Sequence, residues 1–268
     1  MNNADKETNK MTREKVCGKP KIWIDPPGAA MYCSGCQHPV IHRAISEVLE
    51  EMDIDGKAIC VLGVGCHAFV QISWNLDILS CAHGRALDSG TAIKRLNPDA
   101  IVFTVQGDGD CIAIGAGAFI GAMTRGEKIT TIMYNNTNYG TTGGQLAPTT
   151  LIGQKTTTTP LGRDEALEGY PVHTAELAAT FKGTAYSARG SVHTPANYQR
   201  AKRYIKTAFQ KQIDGAGFSF VEILTACPPN WHLSPVECLD RIEDEIIHEF
   251  PLGEFKNEDG KKELSESN

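Results

Sequence analysis

The sequence predicts an α/β fold in which helices cover both faces of a mostly parallel β-sheet. Short apolar runs rich in β-branched residues alternate with longer segments of helical periodicity. Strands buried on both faces of a sheet have such continuous apolar runs, and the helices that cover them come between the strands in sequence. Glycine-rich and polar segments directly follow several of the apolar runs, where the loops of such a fold are expected.

Each predicted element rests on its own periodicity. The strands are Ala58–Val64, Ala100–Val105, Ile129–Tyr134 and Phe218–Leu224. The helices are Pro39–Met52, Ile112–Thr124, Thr174–Phe181 and Pro195–Gln212. Ligands of open parallel sheets bind at the carboxyl ends of the strands, so a site is expected in the loops there. The run Ala147–Arg163 has no periodicity, and we expect it to cover a site or contact another subunit.

The domain organisation follows from length and polarity. A chain of 268 residues can bury a substantial core. We expect one domain at residues 30–256, an N-terminal tail at 1–29 and a C-terminal tail at 257–268, because both ends are strongly polar.

Composition excludes several classes of protein. The net charge of −6 argues against a nucleic-acid-binding surface, which needs a basic excess. No membrane span is expected, since the longest nearly uncharged stretch, Cys111–Met123, is too short. The polar N-terminus lacks the apolar core of a signal peptide, so a cytoplasmic location is predicted. In that reducing compartment, the nine cysteines indicate metal ligation or catalysis, not disulfides.

A pair of polar motifs predicts a diphosphate and magnesium site. Gly107-Asp108-Gly109-Asp110 follows one predicted strand, and Asn135-Asn136 ends the next. The glycines let the backbone approach a phosphate, and the helix that follows offers its N-terminus to the anion. Asp108 and Asn136 supply hard oxygen ligands for magnesium. A lone Gly-Asp-Gly turn is common, but the pair resembles the pyrophosphate-binding domain of thiamine diphosphate enzymes.

Four cysteines form a second pattern. Cys33 and Cys36 precede the first helix, whereas Cys66 and Cys227 each follow a predicted strand. By number, four thiolates suit a zinc ion or an iron–sulfur cluster equally well, and a CxxC segment can also be a redox pair. The proximity of two of them to the diphosphate motif favours a cluster that carries electrons. Three other cysteines are expected to be small core residues, namely Cys60, Cys81 and Cys111.

The motifs together resemble the β subunits of the 2-oxoacid:ferredoxin oxidoreductases, with the strongest likeness to the 2-ketoisovalerate and 2-oxoglutarate enzymes. The resemblance covers roughly residues 30 to 256. It is carried by segments in the family's order: Tyr32-Cys33-Ser34-Gly35-Cys36, Gly65-Cys66, His83-Gly84-Arg85, Gly107–Asp110, Asn135–Gln145, Gly153-Gln154-Lys155, Cys227-Pro228 and Leu233-Ser234-Pro235.

The resemblance implies cofactors and the residues that hold them. It implies a 4Fe–4S cluster on Cys33, Cys36, Cys66 and Cys227. It implies magnesium bound by Asp108, Asn136 and the backbone carbonyl of Asn138. It also implies thiamine diphosphate contacts from the loops after the strands, namely Val64, Gly65, Cys66, His67, Gly109, Asp110, Gly140 and Thr141.

Two motifs depart from the family pattern, and a third segment has two interpretations. Ser34 and Gln37 replace the usual Pro and Gly of the first cysteine motif, and His67 replaces a small hydroxyl residue. The last change puts the cofactor contact at position 67 in doubt. His83 and Arg85 either present cations to the diphosphate or a substrate carboxylate, or belong to a structural loop.

The activity implied is the coenzyme A-dependent oxidative decarboxylation of a 2-oxoacid, with electrons passed to ferredoxin. No residue of this chain is identified as the catalytic glutamate of thiamine enzymes, so an α subunit, and γ and δ subunits, are expected as partners. No nucleic-acid or membrane partner is expected. Two alternatives remain at this point: a non-oxidative thiamine diphosphate decarboxylase subunit, and a zinc-stabilised scaffold subunit.

Overall fold

The computed structural model describes residues 18–24 and 31–259, and a seven-stranded sheet is the centre of this part of the chain. In chain order the strands are β1 (Ala58–Leu62), β2 (Asp77–Ser80), β3 (Ile101–Gly107), β4 (Thr130–Asn135), β5 (Thr184–Ser191), β6 (Phe218–Leu224) and β7 (Gly253–Asn257). Their order across the sheet is β2-β1-β3-β4-β6-β5-β7. All neighbouring strands are parallel except β7, which runs antiparallel to β5.

Nine α-helices connect or flank these strands in the described residues. They are α1 (His38–Glu51), α2 (Ala86–Leu96), α3 (Ala116–Arg125), α4 (Glu165–Glu168), α5 (Thr174–Thr180), α6 (Pro195–Ile213), α7 (Pro228–Trp231), α8 (Pro235–Arg241) and α9 (Ile247–Glu249). Short 3₁₀ segments lie at Asp55–Lys57 and Cys66–Ile72, and π-helical turns at Gly109–Ile114 and Ile242–Ile246.

The helices bury both faces of the sheet. On one face, α1 and α6 pack their apolar residues on the strands through Ile41, Ile45, Val48, Ile205 and Phe209. On the other face, α2, α3 and α5 do the same through Leu87, Phe119, Met123, Ala175 and Ala178. A third cluster around Trp231, Ile242 and Phe250 covers the carboxyl end of β6. The predicted class, a mostly parallel sheet with helices on both faces, is confirmed.

The predicted elements are present, and their ends are shifted by a residue or two except at the start of α3, which begins four residues later than predicted. The other elements were not predicted, namely β2, β5, β7, α2, α4, α7, α8 and α9. Strand β5 is buried along its whole length although it contains Arg189 and several small polar residues. Such a strand is stable only because other parts of the chain neutralise its polar groups, which local periodicity cannot reveal.

The helix predicted at Ile112–Thr124 is interrupted at its start. A π-helical turn occupies Gly109–Ile114, and the regular helix begins at Ala116. Asp108 caps this turn by accepting the Gly109 N–H at 2.8 Å. Turns of this kind are frequent at functional sites because they re-aim the residues at a helix start.

The predicted tails are only partly described. Most of 1–29 and 257–268, including Cys17, lies outside the described residues. Within the described part of the N-terminal tail, Ile22 is buried and Trp23 forms a β-bridge with Trp74. At the other end, Asp259 pairs with Lys211 at 2.9 Å. No helix among the described residues has the length and apolarity that a membrane crossing requires.

The run Ala147–Arg163 is irregular, as predicted, but it is closely held. Arg163 is buried and donates hydrogen bonds to five backbone carbonyls, those of Pro148, Thr150, Glu168, Gly169 and Tyr170. The side chains of Thr149, Thr150 and Gln154 point from this loop to the ends of β3 and β4. The loop therefore forms a wall beside the carboxyl edge of the sheet.

Candidate cofactor site at the carboxyl edge of the sheet

A pocket opens where β1, β3 and β4 end. Its lining combines the predicted phosphate, magnesium and cysteine segments with residues that had not been singled out: His38, Val64, Gly65, Cys66, His67, His83, Gly107–Asp110, Tyr134, Asn136 and Asn138–Thr142. The parallel register of β1, β3 and β4 brings these loops to the same edge. This is the position at which parallel sheets bind ligands.

Asp108 is a buried carboxylate without a cationic partner among its hydrogen-bonding neighbours. One oxygen accepts the Gly109 N–H and the other accepts the Thr149 hydroxyl at 2.5 Å. Burial raises its pKa to about 7, opposed by these two hydrogen bonds, and nearby Glu222 adds to the rise. A bound cation would remove this cost of ionisation, so the electrostatics of Asp108 fit a metal ligand.

The loop after β4 has an unusual backbone conformation that is held by hydrogen bonds. Thr137 has a φ of 59°, which is unusual for a β-branched side chain. The Asn136 side-chain oxygen accepts the Asn138 N–H at 3.3 Å, and the Asn136 carbonyl accepts hydrogen bonds from Asn138 Nδ2 and Trp231 Nε1. Asn136 and Asn138 are therefore held together beside Asp108, and they supply the neutral oxygens that magnesium accepts.

The Asp110 carboxylate joins loops instead of facing open space. It accepts the Val64 and Gly84 N–H groups and the Gln106 side-chain amide at 3.2, 2.8 and 2.8 Å. Gly63 is required beside it, since a Cβ atom there would lie 1.8 Å from Asp110 Oδ2. Asp110 thus fixes three segments of the pocket relative to one another.

His83 and Arg85 separate in the structure. His83 lines the pocket, and its Nδ1 lies 2.5 Å from Asp110 Oδ1. Arg85 does not line the pocket; it pairs with Asp88 at 3.1 Å at the start of α2. The pairing with Asp88 favours the structural-loop interpretation for Arg85, and a cofactor contact by Arg85 stays a prediction.

His67 is turned into the protein. It is 2% exposed, packs against Gly65 and Gly107, and its ring contacts Tyr134. Burial lowers its pKa to about 4, so the ring is neutral near pH 7. A hydroxyl residue would not fill this space, and the departure at position 67 therefore has a packing role.

Cys66 and Cys227 flank the same turn of the pocket. The Cys66 sulfur lies 2.9 Å from the Thr141 hydroxyl. The Cys227 sulfur accepts a hydrogen bond from Asn230 at 3.3 Å and lies next to Gly140, where a Cβ would be 3.6 Å away. The adjacent residues Gly140 and Thr141 thus bring together two cysteines that are distant in sequence.

The CxxC segment is tied to the Cys227 segment. Gln37 is buried, and its side-chain oxygen accepts the N–H of Ala226 at 3.0 Å. The glycine usual in the family at position 37 could not make this contact. Cys36 lies 3.0 Å from Nδ1 of His38.

The four sulfurs affect one another electrostatically. Burial, first of all, raises the pKa of the Cys36 thiol to about 12, against the contact with His38; the other three cysteines add to the rise. Burial likewise raises the pKa of Cys227 to about 11, with Cys66 and Cys33 contributing. Within residues 18–24 and 31–259, no three His, Cys, Asp or Glu side chains are arranged to hold a single metal ion.

The other described cysteines do not line the pocket. Cys60 and Cys111 are buried on opposite faces of the sheet, and Cys238 is buried in the cluster around Trp231. Cys81 is partly buried and donates to the Leu62 carbonyl. The expectation of core positions is confirmed for Cys60 and Cys111 and holds in part for Cys81.

Several residues of the site had no sequence signal of their own. Thr149 contacts the magnesium segment and Asn230 contacts the cysteine segment. Thr149 belongs to the aperiodic run that was expected to lie over a site, which was its one indirect signal.

Known proteins share the sequence pattern and the fold of this chain. Residues 63–223 match the family model of the thiamine pyrophosphate enzyme C-terminal TPP binding domain. A 2-oxoglutarate synthase subunit KorB from Archaeoglobus fulgidus is 32% identical over 238 residues, which cover 85% of each chain. The chain belongs to the family of thiamine pyrophosphate-binding 2-oxoacid:ferredoxin oxidoreductase subunits.

Another member of this family is more similar in sequence but longer. The ketoisovalerate oxidoreductase subunit VorA of Methanothermobacter thermautotrophicus is 40% identical over 237 residues. The match covers 88% of this chain but 50% of VorA, so the chain spans about half the length of that relative.

The fold of the family is also found in a solved structure. The 2-oxoglutarate:ferredoxin oxidoreductase from Magnetococcus marinus, with 2-oxoglutarate, coenzyme A and succinyl-CoA bound, superimposes with a TM-score of 0.73. The sequences are 26% identical, and the match covers 85% of this chain and 73% of that one. The resemblance inferred from the motifs is therefore confirmed at the level of family and fold.

Proposed function

We propose that this chain is the β subunit of a 2-oxoacid:ferredoxin oxidoreductase, an enzyme that oxidatively decarboxylates a 2-oxoacid with coenzyme A. The observation that carries the proposal is one corner of the sheet. There, Asp108 and the Asn136–Asn138 loop meet Cys66 and Cys227 around the turn at Gly140 and Thr141. Cofactor binding and electron removal thus have adjacent sites.

Magnesium would be held by Asp108, Asn136 and the backbone carbonyl of Asn138. The buried Asp108 carboxylate supplies the negative charge, and the loop after β4 supplies neutral oxygens. Diphosphate oxygens and water would complete the octahedral set, as is usual for this ion.

Thiamine diphosphate would be contacted by Val64, Gly65, Cys66, Gly109, Asp110, Gly140 and Thr141, with His83 at the mouth of the pocket. Among these, Asp110 acts by fixing the loops, since its oxygens are occupied by N–H donors. His67 contributes by packing. When bound, the cofactor supplies an electron sink for decarboxylation.

The cysteines Cys33, Cys36, Cys66 and Cys227 would hold a 4Fe–4S cluster. Their convergence on one corner and their mutual effect on thiol pKa values support this assignment. Thiolates are the usual ligands of such clusters, and hydrogen bonds to sulfur tune the potential. Asn230, which donates to Cys227, is placed for that role.

The substrate class is a branched-chain 2-oxoacid or 2-oxoglutarate, supported by the names of the similar subunits. The test is to purify the native complex and measure reduction of a viologen dye with 2-oxoisovalerate, 2-oxoglutarate and pyruvate. Reduction that depends on one of the first two acids and on coenzyme A supports the proposal. No reduction with any acid contradicts it.

Two alternatives make different predictions for the native complex. A non-oxidative thiamine diphosphate decarboxylase subunit would release carbon dioxide without reducing the dye, and would contain no iron or sulfide. A zinc-stabilised scaffold subunit would contain zinc and would fail to bind thiamine diphosphate in calorimetry.

The isolated chain is expected to show no 2-oxoacid oxidation, even after reconstitution with cofactor and cluster. The reason is that this chain contains no recognised catalytic glutamate, which an α subunit is proposed to supply. Dye reduction is measured with the chain alone and with the native complex as the positive control. Full turnover by the chain alone would contradict the partner proposal.

Thr149→Val is expected to weaken magnesium-dependent binding of thiamine diphosphate by about 10- to 100-fold, the usual effect of losing a contact to a metal ligand. The substitution removes the hydroxyl that donates to Asp108 at 2.5 Å and keeps the shape of the side chain. Calorimetry at fixed magnesium measures the change. Thr157→Val, which alters the same loop at an exposed position, is the control; equal affinities in both variants would contradict the role of Thr149.

A further inference from the structure

A network of hydrogen-bonded, buried polar side chains lies beneath the loop that carries Asn136 and Asn138. Asn135 donates through Nδ2 to Glu222 Oε1 at 2.7 Å, and Arg189 Nε donates to Glu222 Oε2 at 2.9 Å. Asn135, Glu222 and Arg189 are all fully buried. They lie on β4, β6 and β5, which are neighbours in the sheet.

At one end of this network, Arg189 is held by several contacts. The Arg189 guanidinium contacts both oxygens of Glu176 on α5 and donates to the Pro251 carbonyl at 3.1 Å. The rings of Phe250 and Phe255 lie 5.2 and 5.1 Å from its central carbon. Arg189 is thus fixed by the C-terminal segment and by α5, and is able to hold Glu222 in one place.

At the other end of this network, Asn135 contacts the backbone of Thr137, which has an unusual conformation. Asn135 Oδ1 accepts the N–H of Thr137 at 3.1 Å. Thr137 has a φ of 59°, and a β-branched residue adopts that conformation only where its surroundings impose it. The Asn135 amide is therefore one of the contacts that impose the conformation on which Asn136 and Asn138 depend.

The polarity of the contacts fixes the orientation of Asn135. The Thr137 N–H can only donate, so the amide oxygen must face it; the NH₂ group must then face an acceptor. Glu222 is that acceptor and also accepts from Arg189, which a carboxylate can do with both oxygens. An amide at position 222 would present an NH₂ group to one of two donors, either Arg189 or Asn135.

We propose that Glu222 and Arg189 are positioning residues for the magnesium-binding loop: the carboxylate, held by the arginine, orients Asn135, and Asn135 holds the Thr137 backbone so that Asn136 and Asn138 face the metal. This inference rests on the proposed function for its consequence in cofactor binding. The loop geometry itself is independent of that function.

The test is Glu222→Gln in the full chain and in its native complex. Glutamine has nearly the volume of glutamate, but its NH₂ group cannot accept a hydrogen bond, so position 222 can no longer accept from both Asn135 and Arg189. Glu127→Gln is the matched control: Glu127 is also a buried carboxylate, accepts from Arg95 and Arg125 at 2.6 Å each, and lies before β4 at the opposite end of that strand.

The first measurement is amide hydrogen exchange without cofactor. Glu222→Gln is expected to speed exchange at Thr137 and Asn138 by about tenfold, the loss of one charge-assisted hydrogen bond. Exchange in α6 should remain as in the wild-type chain, and Glu127→Gln should leave the loop unchanged. Unchanged exchange at Thr137 in Glu222→Gln, even with a lower melting temperature, would overturn the proposal.

The second measurement is the magnesium concentration at half-saturation of thiamine diphosphate binding. It should rise about tenfold in Glu222→Gln and stay constant in Glu127→Gln. If the wild-type complex binds no thiamine diphosphate, the proposed function fails while the exchange result still decides the positioning role. If Glu222→Gln does not fold, Glu222→Asp replaces it. The shorter carboxylate keeps the charge that pairs with Arg189 but cannot reach both Arg189 and Asn135, so faster exchange at Thr137 supports the proposal and wild-type exchange overturns it.

Discussion

Alanine at any one of Cys33, Cys36, Cys66 or Cys227 is expected to remove or degrade the brown chromophore and the paramagnetic signal of the reduced protein. Each lost thiolate leaves one iron of a 4Fe–4S cluster without its protein ligand. The convergence of these residues depends on the fold, since Cys227 follows β6 and its sulfur lies beside the turn at Gly140. Iron and sulfide content and the reduced-state spectrum are the measurements.

The remaining cysteines provide matched controls within the same chain. Alanine at Cys60, Cys111 or Cys238 should leave iron and sulfide at the wild-type level, with a packing cost of about 1 kcal/mol. Cys227→Ala is the sharpest of the four site variants. A full complement of iron and sulfide in that variant would remove Cys227 from the site, and zinc in place of iron in the wild-type protein would favour the scaffold alternative.

Asp108→Ala is expected to abolish magnesium-dependent binding of thiamine diphosphate, a loss of more than about 100-fold, since contacts to a metal ligand alone are worth 10- to 100-fold. The fold should survive, because Asp108 lies in the loop after β3 and its neighbours are the Gly109 N–H and the Thr149 hydroxyl. Calorimetry with and without magnesium measures the effect. Asp88→Ala, which removes an exposed carboxylate paired with Arg85, is the control.

The same residue gives a pH signature in the chain without cofactor. The pKa of Asp108 is raised to about 7 by burial, so the folded state binds a proton that the unfolded state has lost. The free energy of unfolding attributable to this group therefore falls as the pH rises from about 4 to about 7 and is flat above that range. Asp108→Asn should remove this fall.

In the calorimetric experiment on Asp108→Ala, a wild-type affinity for thiamine diphosphate would show that the assignment of Asp108 as a magnesium ligand is wrong.

Sequence reasoning succeeded where chemistry and local pattern coincide. Asp108 and Asn136 follow apolar strands, and parallel strands bring their carboxyl ends together, so the structure places both beside one pocket as expected. The same logic led to the prediction for Cys66 and Cys227, each of which follows a strand, and the structure places both sulfurs beside the turn at Gly140 and Thr141. The family could then be identified from the order of the motifs, and the comparisons confirm it.

It failed where a residue's role depends on a distant partner. Arg189 and Glu222 are buried charges on strands, and neither can be interpreted without the other, which lies 33 residues away in sequence. Thr149 meets Asp108 across 41 residues. Burial of a polar group is a property of the whole fold.

The hydrogen bonds of Arg163 that hold the loop 147–163 reduce the conformational entropy cost of cofactor binding. Arg163 bonds five carbonyls, so Thr149 and Gln154 already occupy their places before any cofactor arrives. Freezing a loop residue costs about 1–2 kcal/mol of conformational entropy, and that cost is met during folding, not at the moment of association. The affinity of the site for its cofactor is then not diminished by loop ordering. Heat-capacity and entropy changes of association should accordingly be those of a preformed cleft.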